Sequence, residues 1–315
     1  MDKFNNKVRK IYTEADIDTY IPTDAPAIIG NGFLLHKTLF LIYGKKKSRK
    51  STLAYNLGLA IASGTSFAIF DIPTPHKVLI LSAEGGEDTN MERLKIMKPH
   101  FKQIPNGYFT IEFYPKIKLE NPQDYEYLSE LIKKTGAEIL IIDPLMSFHR
   151  ADENSSKEMS MIQEKIRDLI EELNISIILL HHSGRSSAKS PRGSSVIDDN
   201  YDSSICLTRN GNKTKLSFDM RNVESPNELT LIVKKDKYLF ELEKSNNIFG
   251  DLFTSTSTIK SKNELAKYFV KNNILKTENS GYKKVDSYVA QGILIDKGNN
   301  TYELSYKSPF TYLAD

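Results

Sequence analysis

Hydrophobic and polar positions alternate in blocks between residues 33 and 182. Apolar runs of strand length are followed by turn residues or charges, and then by amphipathic stretches of helix length. The apolar runs predict strands at 39–43, 78–82, 108–113, 139–142 and 175–180. The amphipathic stretches predict helices at 51–62, 88–98, 122–134 and 156–173. Because continuously apolar strands are typical of a parallel sheet with helices on both faces, we expect a three-layer α/β fold.

The pattern changes after residue 200 to shorter alternating segments, at 204–207, 216–220 and 229–242, which predict an antiparallel extension of the sheet. A polar stretch then predicts a linker at 246–261. Two helices, at 262–272 and 280–291, and two short strands around a Gly-Asn turn predict a small winged-helix-like domain at 262–315. The remaining units are an amino-terminal arm at 1–24 and the α/β domain at 25–245.

Charge and cysteine content narrow the class of protein. The chain has 43 Lys and Arg against 40 Asp and Glu, so its net charge of +3 does not by itself indicate binding to nucleic acid or membrane. Cys206 is the single cysteine, which excludes an internal disulfide. No apolar run approaches the roughly 20 residues of a membrane helix, and the first residues lack a secretory signal. We therefore expect a cytoplasmic protein with no membrane partner.

The most informative motif follows the first strand. Gly44-Lys45-Lys46-Lys47-Ser48-Arg49-Lys50-Ser51-Thr52 lies between a strand and a helix, the context of a phosphate-binding loop. Such a loop needs Gly, four residues, Gly, Lys and Ser or Thr, since backbone N–H groups cradle phosphates, Lys reaches the β- and γ-oxygens, and the hydroxyl holds Mg²⁺. Gly44, Lys50 and Ser51 fit, and residues 44–52 are the predicted nucleotide-binding segment.

Arg49 stands where the motif has its second glycine. Glycine at such a position usually reflects an unusual backbone angle or close approach to the ligand. Two outcomes remain open: the loop tolerates Arg49 and its charge adds to that of the neighbouring lysines, or nucleotide binding is weakened or lost.

Three further motifs follow in order. The strand at 78–82 leads into Glu84, a candidate general base, because a carboxylate at the carboxyl end of a parallel strand can orient and deprotonate a water. The strand at 139–142 ends in Asp143, a candidate Mg²⁺ ligand. The strand at 175–180 ends in His181 and His182, whose side chains point to opposite faces, so at most one of them faces a nucleotide.

Together these motifs, with Pro191-Arg192-Gly193-Ser194-Ser195, resemble the RecA-like P-loop ATPases of the RepA and DnaB hexameric helicase type over residues 25 to 242. The resemblance implies a RecA-like sandwich, ATP and Mg²⁺ as ligands, Ser51 and Asp143 at the metal, Glu84 as catalytic base and His182 as γ-phosphate sensor. It also implies a ring of identical subunits in which Arg192, or alternatively Arg221, serves a neighbouring nucleotide as an arginine finger.

The basic segment from Ser183 to Arg192 suits contact with a single-stranded DNA backbone. The expected function is an ATP-driven motor on DNA, such as a replicative helicase of a mobile element, with the carboxyl-terminal domain available to a replication partner. Two alternatives stay open. One is a DNA-binding or scaffold protein with a degenerate phosphate loop and a winged-helix tail; the other is a signalling ATPase of the KaiC or recombinase type.

Overall fold

The computed structural model describes residues 12–20, 27–184, 191, 193, 196–197, 200–243, 259–271, 275–290 and 294–304. All statements below refer to these residues.

Five parallel strands form one half of a nine-stranded sheet, in the order β3-β2-β4-β5-β1. They are β1 (Leu39–Gly44), β2 (Val78–Ser82), β3 (Phe109–Phe113), β4 (Ile139–Asp143) and β5 (Ser176–His182). Four helices connect or flank them: α2 (Lys50–Ser63), α3 (Glu87–Met97), α4 (Pro122–Thr135) and α5 (Ser156–Leu173). Short 3₁₀ helices follow α3 at Lys98–His100 and β4 at Leu145–Ser147.

Alternate residues of the strands enter two separate hydrophobic cores. Ile80, Ile141 and Ile178 pack on the side of α2, whereas Leu81, Ile142 and Leu179 pack on the side of α5. Both faces of the sheet are therefore buried, which explains why these strands are apolar at every position.

The other half of the sheet begins at β6 (Ser203–Asn210), which runs parallel to β1. From β6 the chain turns back through three antiparallel strands: β7 (Lys213–Met220), β8 (Leu229–Lys234) and β9 (Leu239–Leu242). The predicted mostly parallel sheet with an antiparallel extension is thus confirmed. The predicted single segment at 229–242 is wrong in one respect, because it folds as two strands around a turn that contains Tyr238 at φ 53°.

Two smaller parts complete the described chain. The arm contains a one-and-a-half-turn helix, α1 (Glu14–Thr19), which begins with a capping box between Thr13 and Asp16. At the other end, β10 (Ile259–Ser261), α6 (Lys262–Lys271), α7 (Glu278–Ala290), β11 (Leu294–Gly298) and β12 (Thr301–Leu304) share a separate core and a three-stranded sheet.

The linker prediction differs from the structure at its end. The polar composition places residues 259–261 in the linker, but they form β10, which pairs with β12. Residues 244–258 lie outside the described residues, so the domain boundary stays a prediction, as does the winged-helix character of the carboxyl-terminal unit. Among the helices described here, none is both long and apolar enough to cross a bilayer.

Candidate active site

The predicted site residues meet at the carboxyl ends of the parallel strands. Strand β1 ends at Gly44, β4 ends at Asp143 and β5 ends at His182, while Glu84 follows β2 by two residues. Helix α2 begins at Lys50, so its first backbone N–H groups and the positive end of its dipole face the same crevice. Chain topology therefore gathers four separate motifs at one edge of the sheet.

Gly44 is required by close packing of the loop. A Cβ atom at this position would lie 2.5 Å from the Leu207 carbonyl oxygen of β6 and 2.8 Å from Ser48 Oγ. Ser48 Oγ itself is buried, without a hydrogen-bond partner among the described residues. Here the loop presents a cradle of main chain and a spare hydroxyl.

The Lys50 side chain is enclosed at the centre of the site, only 6% exposed. Its Nζ donates to the carbonyl oxygens of Gly44 at 3.0 Å and Lys45 at 3.2 Å, and it lies 3.3 Å from His182 Nδ1. Burial lowers the pKa of Lys50, while the nearby Asp143 and Glu84 carboxylates act in the opposite direction. The ammonium group is thus held where it can meet a phosphate.

Asp143 is also buried, with 2% of its surface exposed. Burial raises the pKa of Asp143 from 3.8 to about 6; the hydrogen bond from Ser51 and the charge of Lys50 lower it, whereas Glu84 raises it further. Ser51 and Asp143 are therefore in contact, as expected for two groups that share one cation.

Glu84 is exposed at the mouth of the crevice. Its main chain is fixed by Asn90, whose Nδ2 donates to the Glu84 carbonyl oxygen at 2.8 Å. Arg93 Nη1 in turn donates to Asn90 Oδ1 at 3.3 Å. Sequence reasoning missed Asn90 because a buried asparagine inside a helix belongs to no motif.

The two histidines take different surroundings, in agreement with the alternation of a strand. His182 lies beside Lys50, whereas His181 is fully buried and near enough to His149 to lower the pKa of that side chain, which burial chiefly depresses. Of the two, His182 is the one in the crevice.

A cavity of about 700 Å³ extends from the phosphate loop toward the antiparallel strands. Its cationic lining side chains are Lys46, Lys47, Arg49, Lys50, Arg93, Arg209 and Lys235. Ser51, Thr52, Glu84, Asp143 and His182 line it as well, and Val233 and Tyr238 form an apolar and aromatic part of the wall. Lys45 joins the site through its carbonyl oxygen. The contributions of Arg209, Val233, Lys235 and Tyr238 could not be predicted from local motifs, since they come from β6, β8 and the turn before β9.

The candidate arginine fingers are not part of this cavity. Arg221 follows β7, whose Met220 pairs with Ser203, and Ser203 pairs with Phe40 of β1. Arg221 is thus level with the beginning of β1, about 13 Å along the sheet from Gly44 at roughly 3.3 Å per residue. Its guanidinium lies 5.6 Å from the centroid of the Tyr201 ring. Arg192 lies outside the described residues.

Fold and site together define a RecA-like P-loop ATPase of the DnaB and RepA type. A family model described as an AAA domain, AAA_25, matches residues 9–188, more than half of the 315-residue chain, and the protein belongs to this family. Among solved structures, the chain is similar to the ATPase domain of a helicase, with a TM-score of 0.51 and 16% sequence identity over 66% of this chain and 86% of that one. At this identity the likeness concerns the fold alone. The family implies use of a nucleotide and Mg²⁺.

Proposed function

We propose that this protein hydrolyses ATP as a ring of identical subunits, with six as the working number because the helicases it resembles are hexameric, and uses the energy to move on single-stranded DNA. The observation that carries the proposal is the convergence of Lys50, Ser51, Glu84, Asp143 and His182 on one cationic crevice. A replicative helicase of a mobile element is the biological role that we favour.

Each residue has a role that its surroundings support. Lys50 neutralises charge on the β- and γ-phosphate oxygens, as the buried ammonium beside the loop carbonyls is placed to do. Glu84, exposed to solvent at the mouth, orients the attacking water and accepts its proton. His182, next to Lys50, donates a hydrogen bond to the γ-phosphate and registers its presence.

The residues around Asp143 fit Mg²⁺, because a carboxylate and a hydroxyl in contact supply the hard oxygen ligands that this cation prefers. When bound, Mg²⁺ supplies positive charge to the phosphate oxygens. Ser51 and Asp143 would hold it. The raised pKa of Asp143 indicates a carboxylate that lacks full compensation by protein groups.

The position of Arg221 favours action between subunits. Since Arg221 is level with the opposite end of β1 from Gly44, it serves a nucleotide of a neighbouring subunit rather than that of its own chain. Arg192 is the other candidate, by its place in the basic segment that we assign to the DNA backbone. In either case a guanidinium stabilises the charge that spreads over the γ-phosphoryl oxygens during transfer.

The decisive experiment measures ATP turnover with and without single-stranded DNA, together with the mass of the assembled particle. We expect Mg²⁺-dependent turnover that DNA stimulates, and its loss in Lys50→Ala and in Glu84→Gln. Glu87→Gln is the matched control, since Glu87 is an exposed carboxylate three residues further on. Absence of turnover in the wild-type chain would overturn the proposal.

A second candidate function is that of a DNA-binding or scaffold protein that does not turn over ATP, and Arg49 in the phosphate loop is the observation that favours it. A third, a signalling ATPase, predicts turnover that is indifferent to DNA. The experiment above separates all three. In each case we assign the carboxyl-terminal unit, with its own core, to contacts with DNA or a replication partner.

A further inference from the structure

Arg49 occupies a backbone conformation that favours glycine. It is the residue before α2 and has φ 75° and ψ 24°, in the left-handed region. A side chain there costs energy that glycine avoids. Local backbone preference therefore opposes arginine at this position, and any benefit of Arg49 must come from the contacts of its side chain.

Those contacts reach the turn between β6 and β7. Nη2 donates to the carbonyl oxygen of Gly211 at 2.8 Å, and Nη1 donates to the carbonyl oxygen of Asn212 at 2.8 Å and to Thr214 Oγ1 at 3.0 Å. The planar fork of a guanidinium suits such a set of acceptors, and an ammonium or an amide group does not match it.

A second arginine makes the reverse connection. Arg209, at the end of β6, donates from Nη1 to the Lys47 carbonyl oxygen of the phosphate loop at 3.3 Å and from Nε to the Gly211 carbonyl oxygen at 3.2 Å. The loop thus holds the turn through Arg49, and the turn holds the loop through Arg209. We call this pair of connections the arginine clamp.

The charge of the clamp points to an anionic ligand. Both guanidiniums line the same cavity, and their mutual repulsion is unfavourable unless carbonyl dipoles or an anion offset it. A polyphosphate beside Lys50 would relieve that repulsion.

We propose that Arg49 is a positioning residue for the nucleotide triphosphate. It fixes the phosphate loop against the β6–β7 turn and so stabilises the cradle, in place of the compact glycine that the motif otherwise has. The inference rests on the proposed ATP binding at this loop. It also predicts that Thr214 supports the same function through Arg49.

The kinetic arm compares full-length wild type with Arg49→Gly, Arg49→Lys, Thr214→Val and the double variant Arg49→Gly/Thr214→Val. We expect Arg49→Gly to raise KM for ATP roughly tenfold with little change in kcat, the size expected for loss of charge-assisted hydrogen bonds. Arg49→Lys should recover part of this loss, and Thr214→Val should give a smaller loss. The double variant should be no worse than Arg49→Gly, because both changes remove one connection.

Thr208→Val is the matched control, since alternation along β6 directs Thr208 to the opposite face of the sheet from Arg209. A KM in Arg49→Gly equal to or below the wild-type value would overturn the inference. So would losses in Thr214→Val and Arg49→Gly that simply multiply in the double variant.

A protease arm tests the clamp without nucleotide. A lysine-specific endoprotease can cleave at the exposed Lys45, Lys46 and Lys47, and Arg49→Gly leaves all three sites in place. Release of the loop should accelerate cleavage there about tenfold if the clamp holds the closed form; an unchanged rate would contradict the clamp. Failure of the proposed function would show instead as absence of ATP turnover in the wild type, whatever the cleavage rates.

Discussion

Replacement of Asp143 by Asn should make the nucleotide-free protein more stable while it removes Mg²⁺-dependent turnover. Asp143 is 2% exposed, and its pKa is raised from 3.8 to about 6. The folded protein therefore disfavours the ionised carboxylate. Asparagine keeps an oxygen that accepts the Ser51 hydrogen bond, but it carries no charge to bury.

The magnitude follows from proton linkage. A rise in pKa from 3.8 to about 6 corresponds to roughly 3 kcal/mol of destabilisation once the group is ionised. Because the folded pKa lies above the unfolded one, the contribution of Asp143 to wild-type stability is highest below about pH 4 and declines as pH rises through 6. The advantage of Asp143→Asn should thus be small at pH 4, grow between pH 4 and 6, and level off near pH 7.

The assay is denaturant unfolding across this pH range, without divalent cations or nucleotide. Asp236→Asn, at an exposed carboxylate in the β8–β9 turn, serves as the control and should show no such trend. An Asp143→Asn variant less stable than wild type at pH 7, or an advantage independent of pH, would refute the reasoning.

Three other outcomes follow from the fold and the site. Gly58→Val should destabilise the protein by about 1–3 kcal/mol in denaturant unfolding, because a Cβ there lies 2.8 Å from Ile80 Cδ1; an unchanged midpoint would contradict the close packing. Mixing inactive Arg221→Ala with inactive Lys50→Ala subunits should restore part of the ATP turnover if Arg221 acts between subunits, and a mixture as inactive as its parts would count against it. Tyr238→Ala should weaken binding of a fluorescent ATP analogue several-fold through loss of an aromatic surface, and equal affinity would exclude base contact.

Much of the parallel half could be predicted from the sequence. Strand β2 and helix α5 have the predicted bounds, because a fully buried strand and an amphipathic helix each carry a strong periodic signal. The phosphate loop, Asp143 and Glu84 are equally visible, since each directly ends or follows such a strand.

The remainder depends on contacts between segments distant in the sequence. The turn before Tyr238 lacks glycine and proline, so the pattern at 229–242 does not reveal two strands. Arg209 and Tyr238 enter the cavity only because β6 pairs with β1 and the antiparallel strands fold beside the loop. The partners of Arg49 lie more than 160 positions away along the chain, beyond the reach of any local rule.

The end of β5 places the two halves of the proposed function side by side. His182 is in contact with Lys50, and the next residue, Ser183, donates its N–H to the Gly44 carbonyl oxygen at 3.1 Å and bridges to Pro191. The segment that we assign to DNA leaves and rejoins the body of the protein at this bridge. A displacement of His182 on phosphate release would then pass through a single peptide link before it shifted the grip on the strand.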